Sequence, residues 1–215
     1  MRTKGTVLIA LGLLLIAGSA GLAGFNLWQS TQAGETAAQD LALLLDTEDT
    51  PTGPREEILI QSVPKVESLP VPEMPVTEIN GREYVGTVEL PTIDRTLPVL
   101  NGWDSELLQI APCRYAGSAY TGDLILMAHN YDSHFGRLNK LHIGDPVTFR
   151  DVAGNSFSYE VAALETLKPE DTRQMEEGDW DLTLFTCTVG GKTRVTIRCT
   201  LLSVEINMEQ EKGIR

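Results

Sequence analysis

The apolar positions of this chain change their spacing twice. From Thr6 to Trp28 they form one run of 23 residues, inside a stretch from Gly5 to Gly34 that holds no charged side chain. About 20 apolar residues cross the hydrocarbon core of a bilayer, and the basic flank of Arg2 and Lys4 assigns the N-terminal end to the cytoplasm. The run exceeds the apolar segment of roughly 7–15 residues in a secretory signal peptide, which favours an uncleaved anchor. The rival reading, a cleaved signal peptide, has the small residues of Ala17-Gly-Ser-Ala-Gly-Leu-Ala23 in its favour. Between residues 29 and 79 no period is sustained, and six of the eleven prolines fall between Pro51 and Pro75. That composition predicts an extended stalk. Within it, Asp40 to Asp46 fits either a helical turn or two lying on the membrane or the domain, or a plain apolar patch in a linker.

From Tyr84 the pattern becomes that of β-structure. Short branched or aromatic runs cover 84–90, 97–100, 124–128, 147–150, 156–165, 182–186 and 194–204, with turn sequences such as Asn101-Gly102 and Ala153-Gly-Asn155 between them. Asp104 caps a short helix through Ile110. Strands at this spacing predict a sandwich or small barrel. The resulting organisation is a cytoplasmic terminus (1–5), a membrane span (6–28), an extracellular stalk (29–79), one globular domain (80–204) and a tail (205–215).

Three of these strands carry chemistry at their ends. Leu182-Thr-Leu-Phe-Thr186 delivers Cys187, a Gly190-Gly191 turn follows, Arg194 opens the next strand, and Leu124-Ile-Leu-Met-Ala128 delivers His129. A cation beside a cysteine favours the nucleophilic thiolate and can hold negative charge that develops on a carbonyl oxygen under attack. The histidine supplies a proton-transfer partner. If the hairpin closes symmetrically over Thr188 to Thr193, Cys187 and Arg194 are direct neighbours with Cβ atoms about 4.5–5.5 Å apart. Arg198 then lies about 13 Å further along the same face. Val195, Ile197 and Cys199 point into the core, which puts both arginines on the outer surface. Taken alone, a strand-end cysteine is more often buried and inert, and a strand-end histidine ordinary; the order and combination of the motifs carry the reading.

Leu-Thr-Leu-Phe-Thr-Cys187 with Arg194 seven residues on, Ala128-His-Asn-Tyr131, His134-Phe-Gly-Arg-Leu138, Tyr84-Val-Gly-Thr-Val-Glu-Leu-Pro91 and Leu97-Pro-Val99 together resemble a sortase over residues 80–204. Sortases are membrane-anchored cysteine transpeptidases of mainly Gram-positive bacteria. The resemblance implies a mainly β fold, a closed eight-stranded sortase-type barrel with short helices behind an N-terminal transmembrane helix; the strands counted above number one fewer. It implies catalytic His129, Cys187 and Arg194, with Ala128 and Thr186 at the substrate, and no cofactor. The implied reaction is attack of Cys187 inside a C-terminal Leu-Pro-x-Thr-Gly-like sorting motif of a surface protein. An amine of a cell-wall precursor or a pilin lysine then resolves the thioacyl enzyme. The domain would be extracellular on a single-pass membrane protein.

The connection from Glu165 to Leu182 matches the loop that shapes the substrate groove in that family. It is too short for the helical insertion of class B, and no aspartate-aromatic lid of class C precedes the domain, so a class A, D or E type is expected. Five of its acids, Glu170, Asp171, Glu176, Glu177 and Asp179, invite a calcium reading, but Ala111 to Gly122 holds no acid to complete a site, and no metal is expected. His134 is expected in a structural turn and His142 at the surface.

Charge narrows the partners. The net charge is −13, and since the first 34 residues hold two bases and no acid, the remainder carries −15. That balance argues against nucleic acid. Cys113, Cys187 and Cys199 have no zinc or thioredoxin spacing, and Cys113 and Cys199 are expected as buried thiols or, in an oxidising compartment, a disulfide. A hydrolytic cysteine peptidase using the same trio, and a non-catalytic membrane-tethered binding module, remain as alternatives.

Overall fold

A computed structural model of the chain describes residues 2–48, 56–59 and 73–207; most of the proline-rich segment and the last eight residues lie outside them. The N-terminal run forms one helix, α1 (Arg2–Glu48). It is long and apolar enough to cross a membrane, with mean hydropathy 2.2 in its most apolar window and none of that window buried. Leu8, Leu14, Leu22 and Leu27 are fully open to the surroundings, as lipid-facing side chains would be. The helix does not stop at Trp28. It continues for 20 residues into the segment expected as stalk, and from Ala33 onward one face is buried against the domain. The apolar cluster at Asp40 to Asp46 is the end of this helix, and the part of it that docks lies on the domain.

The strands are β1 (Glu56–Leu59), β2 (Thr77–Ile79), β3 (Arg82–Leu90), β4 (Arg95–Leu100), β5 (Cys113–Ala116), β6 (Leu124–Ala128), β7 (Pro146–Asp151), β8 (Ser156–Leu167), β9 (Leu182–Cys187) and β10 (Arg194–Ile206). Hydrogen-bonded neighbours run in a ring of eight, β10, β8, β7, β3, β4, β5, β6, β9 and back to β10. The sequence count of seven lacked β5, four residues with a bulge between Arg114 and Ala116, too short and irregular to show a period of two. β2 adds to β3, and β1 extends the edge of β10 beyond its pairing with β9. Two of the pairings are parallel, β4 with β5 and β6 with β9.

Alternation along the strands sends Val85, Val88, Leu124, Leu126, Phe149, Tyr159, Val161, Leu182, Leu184, Ile197 and Cys199 inward as one core. A second cluster, with Ala37 and Leu44 of α1 against Tyr84, Leu100 and Cys113, lies outside the ring. A third, Ile125, Leu167, Met175 and Phe185, lies under the 168–181 connection, which contains the single-turn helix α2 (Thr172–Glu176). The capped turn after β4 is present as expected: Asp104 Oδ1 accepts from the backbone N–H of Glu106 and Leu107, both at 2.7 Å.

Candidate active site

β6 and β9 run parallel and in register, with Ala128 opposite Thr186. His129 and Cys187 are therefore the next residues off the same end of the sheet. The inner positions Ala128 and Thr186 are buried, and the Thr186 hydroxyl donates to the Ala128 carbonyl at 2.8 Å. The Thr186 hydroxyl and the Ala128 carbonyl thus tie together the two strand ends that carry the histidine and the cysteine. Inner and outer positions alternate, so Ile125 and Met127 on β6 and Thr183 and Phe185 on β9 share the outer face with the residues that follow them.

The hairpin closes as the symmetric register predicts. Arg194 pairs with Cys187, the Thr188 N–H donates to the Thr193 carbonyl at 3.0 Å, and the two threonine hydroxyls meet at 3.0 Å. Gly190 (φ 83°) and Gly191 (φ 71°) take the left-handed conformations this turn requires. The Arg194 guanidinium donates only to the carbonyls of Gly191 and Thr193, each at 3.1 Å, and no carboxylate among the described residues pairs with it. It stands beside Cys187 with its charge uncompensated.

Arg198 lies on the outer face of the ring as expected, but that face is covered there. It is on the same face of β10, yet only 2% exposed, because the 168–181 connection folds over it. Its guanidinium donates to Glu165 Oε2 and Thr183 Oγ1, each at 3.0 Å, and to the carbonyls of Met175 (2.9 Å) and Gln174 (2.5 Å). It thereby anchors the connection on the sheet. A cleft of about 420 Å³ beside it, lined by Glu165, Gln174, Glu177 and Trp180 among others, contains none of Cys187, His129 or Arg194.

His129 is partly buried, and burial lowers its pKa below the ordinary histidine value, so the neutral imidazole dominates at pH 7. Its ring lies 4.8 Å from that of Tyr131, which lies 5.5 Å from His134. His134, expected in a structural turn, is fully buried and pushed down to about 4 by burial, then by the nearby His129. The 129–136 loop is fastened by the Phe135 N–H on the His129 carbonyl (3.3 Å) and by Asp132, which Arg95 and Arg137 grip. Gly136 has no room for a Cβ, which would sit 2.6 Å from the carbonyl oxygens of Asn130 and Tyr131. His142 is exposed, as expected. Cys113 and Cys199 are buried free thiols, each pushed up to about 12 by burial.

An aromatic row covers the outer face next to the site: Trp103 stacks on Tyr115 (5.6 Å), and Tyr115 meets Phe185 edge-on (5.4 Å). The Tyr115 hydroxyl also donates to Glu176 on α2 at 3.0 Å, bridging the row to the 168–181 connection. This row leads along the sheet to Phe185, two residues before Cys187. No local pattern announces it, since the three aromatics come from separate segments.

A mainly β ring thus brings a cysteine, a histidine and an arginine without a carboxylate partner among the described residues to one end of neighbouring strands. The family model "Sortase domain" matches residues 88–202, and the chain belongs to the sortase family. It is 28% identical over 107 residues to sortase D of Bacillus subtilis (strain 168), a match covering 47% of this chain and 53% of that protein. The chain thus spans about half the length of this curated relative. Among solved structures it is similar to sortase C1 from Streptococcus agalactiae (TM-score 0.51, 28% identity, 58% of this chain and 70% of that one). It shares its fold with sortase A from Corynebacterium diphtheriae (TM-score 0.52, 24% identity, 61% of this chain and 65% of that one).

Proposed function

We propose that the protein is a membrane-tethered cysteine transpeptidase whose domain faces the cell exterior. Its substrates are surface proteins bearing a C-terminal Leu-Pro-x-Thr-Gly-like motif. The Cys187 thiol gives its proton to His129 as its sulfur forms a bond to the carbonyl carbon of a peptide in that motif, the Arg194 guanidinium holds the oxyanion, and the C–N bond breaks as His129 passes that proton to the leaving amine. An incoming amine, from a cell-wall precursor or a pilin lysine, attacks the thioester carbonyl. The C–S bond then breaks, and the proton lost by that amine returns through His129 to restore the resting site. The observation that supports this reading is the register of three strand ends, Ala128 with Thr186 and Cys187 with Arg194, which brings His129, Cys187 and Arg194 to one end of the sheet.

Incubating the full-length protein in detergent with a panel of sorting-motif peptides, with and without an added amine, tests the reading by mass spectrometry. The expected result is a thioacyl adduct on Cys187 and an amine-dependent ligated peptide. Product formed equally without amine would make the protein a hydrolytic peptidase. No adduct with any peptide, and no effect of alkylating Cys187 on peptide binding, would leave a tethered binding module.

A further inference from the structure

We infer that the part of α1 beyond the membrane run is a working part of the active site: clamped to the domain through Asp40, it braces the loop that orients His129. This rests on the transpeptidase reading above, because it assigns His129 a proton-carrying role.

The clamp begins with helical spacing. Ala33, Ala37, Asp40 and Leu44 are buried at intervals of three and four residues, one face of the helix. Asp40 is 1% exposed, and a buried carboxylate is costly unless donors surround it. It has three: Asn80 Nδ2 at 2.8 Å, Arg82 at 2.6 Å and the Tyr84 hydroxyl, all from the β2–β3 hairpin. A three-donor grip on one side chain fixes both the height and the rotation of the helix.

Ten residues earlier, about 15 Å along the axis, the same helix meets the histidine loop. The Ser133 hydroxyl donates to the Ser30 carbonyl at 2.9 Å, and a Cβ on Gly34 would sit 2.8 Å from that of Ser133. The His134 ring is packed near the backbone of Ala33 and Ile110, its two nitrogens outside full hydrogen-bond geometry. From there the rings run His134, Tyr131, His129.

This chain of contacts matters because the His129 ring makes no hydrogen bond among the described residues. Catalytic histidines are commonly oriented by a hydrogen-bonded third group. Here the orientation is set by packing on Tyr131 and by whatever holds the 130–136 loop, and α1 is one wall of that hold. Asp40, Gly34 and Ser133 are thus positioning residues, acting through the loop on His129.

Full-length Asp40→Ala and Gly34→Leu, in the same detergent, test the inference by different routes. The first releases the clamp, and the second pries the helix from Ser133 while leaving the clamp residues intact. Each is expected to lower kcat for peptide transfer tenfold or more with KM changed less than twofold. Each should also shift the His129 ring-proton resonances, which lie against the Tyr131 ring. An unchanged kcat with unmoved resonances in Gly34→Leu overturns the inference even if Asp40→Ala fails to fold, and so does a rise in KM alone. Should the wild-type chain transfer no peptide, the functional reading fails by itself, and the resonances still decide whether α1 orients His129.

Discussion

Arg194 and Arg198 stand on one face of one strand, four residues apart, in opposite surroundings. Arg194 reaches only turn carbonyls at the open end of the hairpin, whereas Arg198 spends its donors on a carboxylate, a hydroxyl and two backbone carbonyls beneath the 168–181 connection. A guanidinium already committed cannot turn to charge forming elsewhere; one held by two weak carbonyl contacts can. Strand alternation assigns a side chain to a face, and the segment covering that face assigns its work. The cover stops short of Cys187, and on the proposed function that boundary separates chemistry from support.

Three substitutions try this boundary. Cys187→Ala is expected to abolish thioacyl formation outright, read by mass spectrometry, with an unchanged circular-dichroism spectrum. Arg194→Ala should lower kcat/KM about a hundredfold or more, the scale of a lost oxyanion donor, with an unchanged unfolding midpoint. Arg198→Ala should do the reverse. Removing one partner of a buried ion pair costs about 3–5 kcal/mol, and the lower end applies here because Glu165 is partly open to water. Urea unfolding would measure the loss, with turnover at saturating peptide reduced far less than in Arg194→Ala. If Arg198→Ala lost turnover and kept its stability, the two arginines would have to exchange roles.

The hairpin register was legible because it depends on local facts, a glycine pair in a turn flanked by alternating branched residues, and Cys187 opposite Arg194 follows from those alone. The burial of Arg198 was not, since it depends on where a 14-residue connection folds back. Nor was the unbroken helix through residues 29–48, of which the sequence offered only a turn or two at Asp40 to Asp46. Its docked face is two alanines, an aspartate and one leucine, which give little amphipathic signal, and the three donors that hold Asp40 lie about forty residues further on. The strand β5 escaped for a third reason: four residues with a bulge cannot display a period. What sequence conveys well here is which residues stand at strand ends; what it conveys poorly is which segment lies on top.

The histidines repeat the contrast between open end and covered interior, and pH is the probe. His134 is fully buried and pushed down to about 4, against an ordinary value near 6.5, so between those pH values the unfolded chain binds a proton that the folded chain refuses. Its neutral form supports the fold fully above pH 6.5. That support is lost progressively as pH falls from about 6.5 to about 4, by about 3 kcal/mol. The lowered pKa of His129 acts in the same direction. Urea unfolding at pH 7 and pH 4.5 should show the drop, and His134→Gln should flatten it. An equally steep slope in His134→Gln would move the acid sensitivity to the carboxylates, among which Asp132 is held below its ordinary value by Arg137.

The smallest expected effect separates the two ends of β9 most finely. Thr186 donates to the Ala128 carbonyl at the open end, and Thr183, three residues earlier, accepts from Arg198 under the cover. Valine matches threonine in shape, so Thr186→Val removes one hydrogen bond worth about 1 kcal/mol and little packing. The strands it ties lead directly to His129 and Cys187, and a small loss of alignment there should lower kcat severalfold while the unfolding free energy falls by about 1 kcal/mol. Thr183→Val deprives Arg198 of one of four acceptors and should cost a similar amount of stability with kcat unchanged. Measured side by side, equal losses of stability with unequal losses of kcat would show that the open end of β9 serves the reaction and the covered end serves the fold. Equal losses of both would mean that the strand responds as one rigid piece and that the boundary drawn at the arginines does not extend to their neighbours.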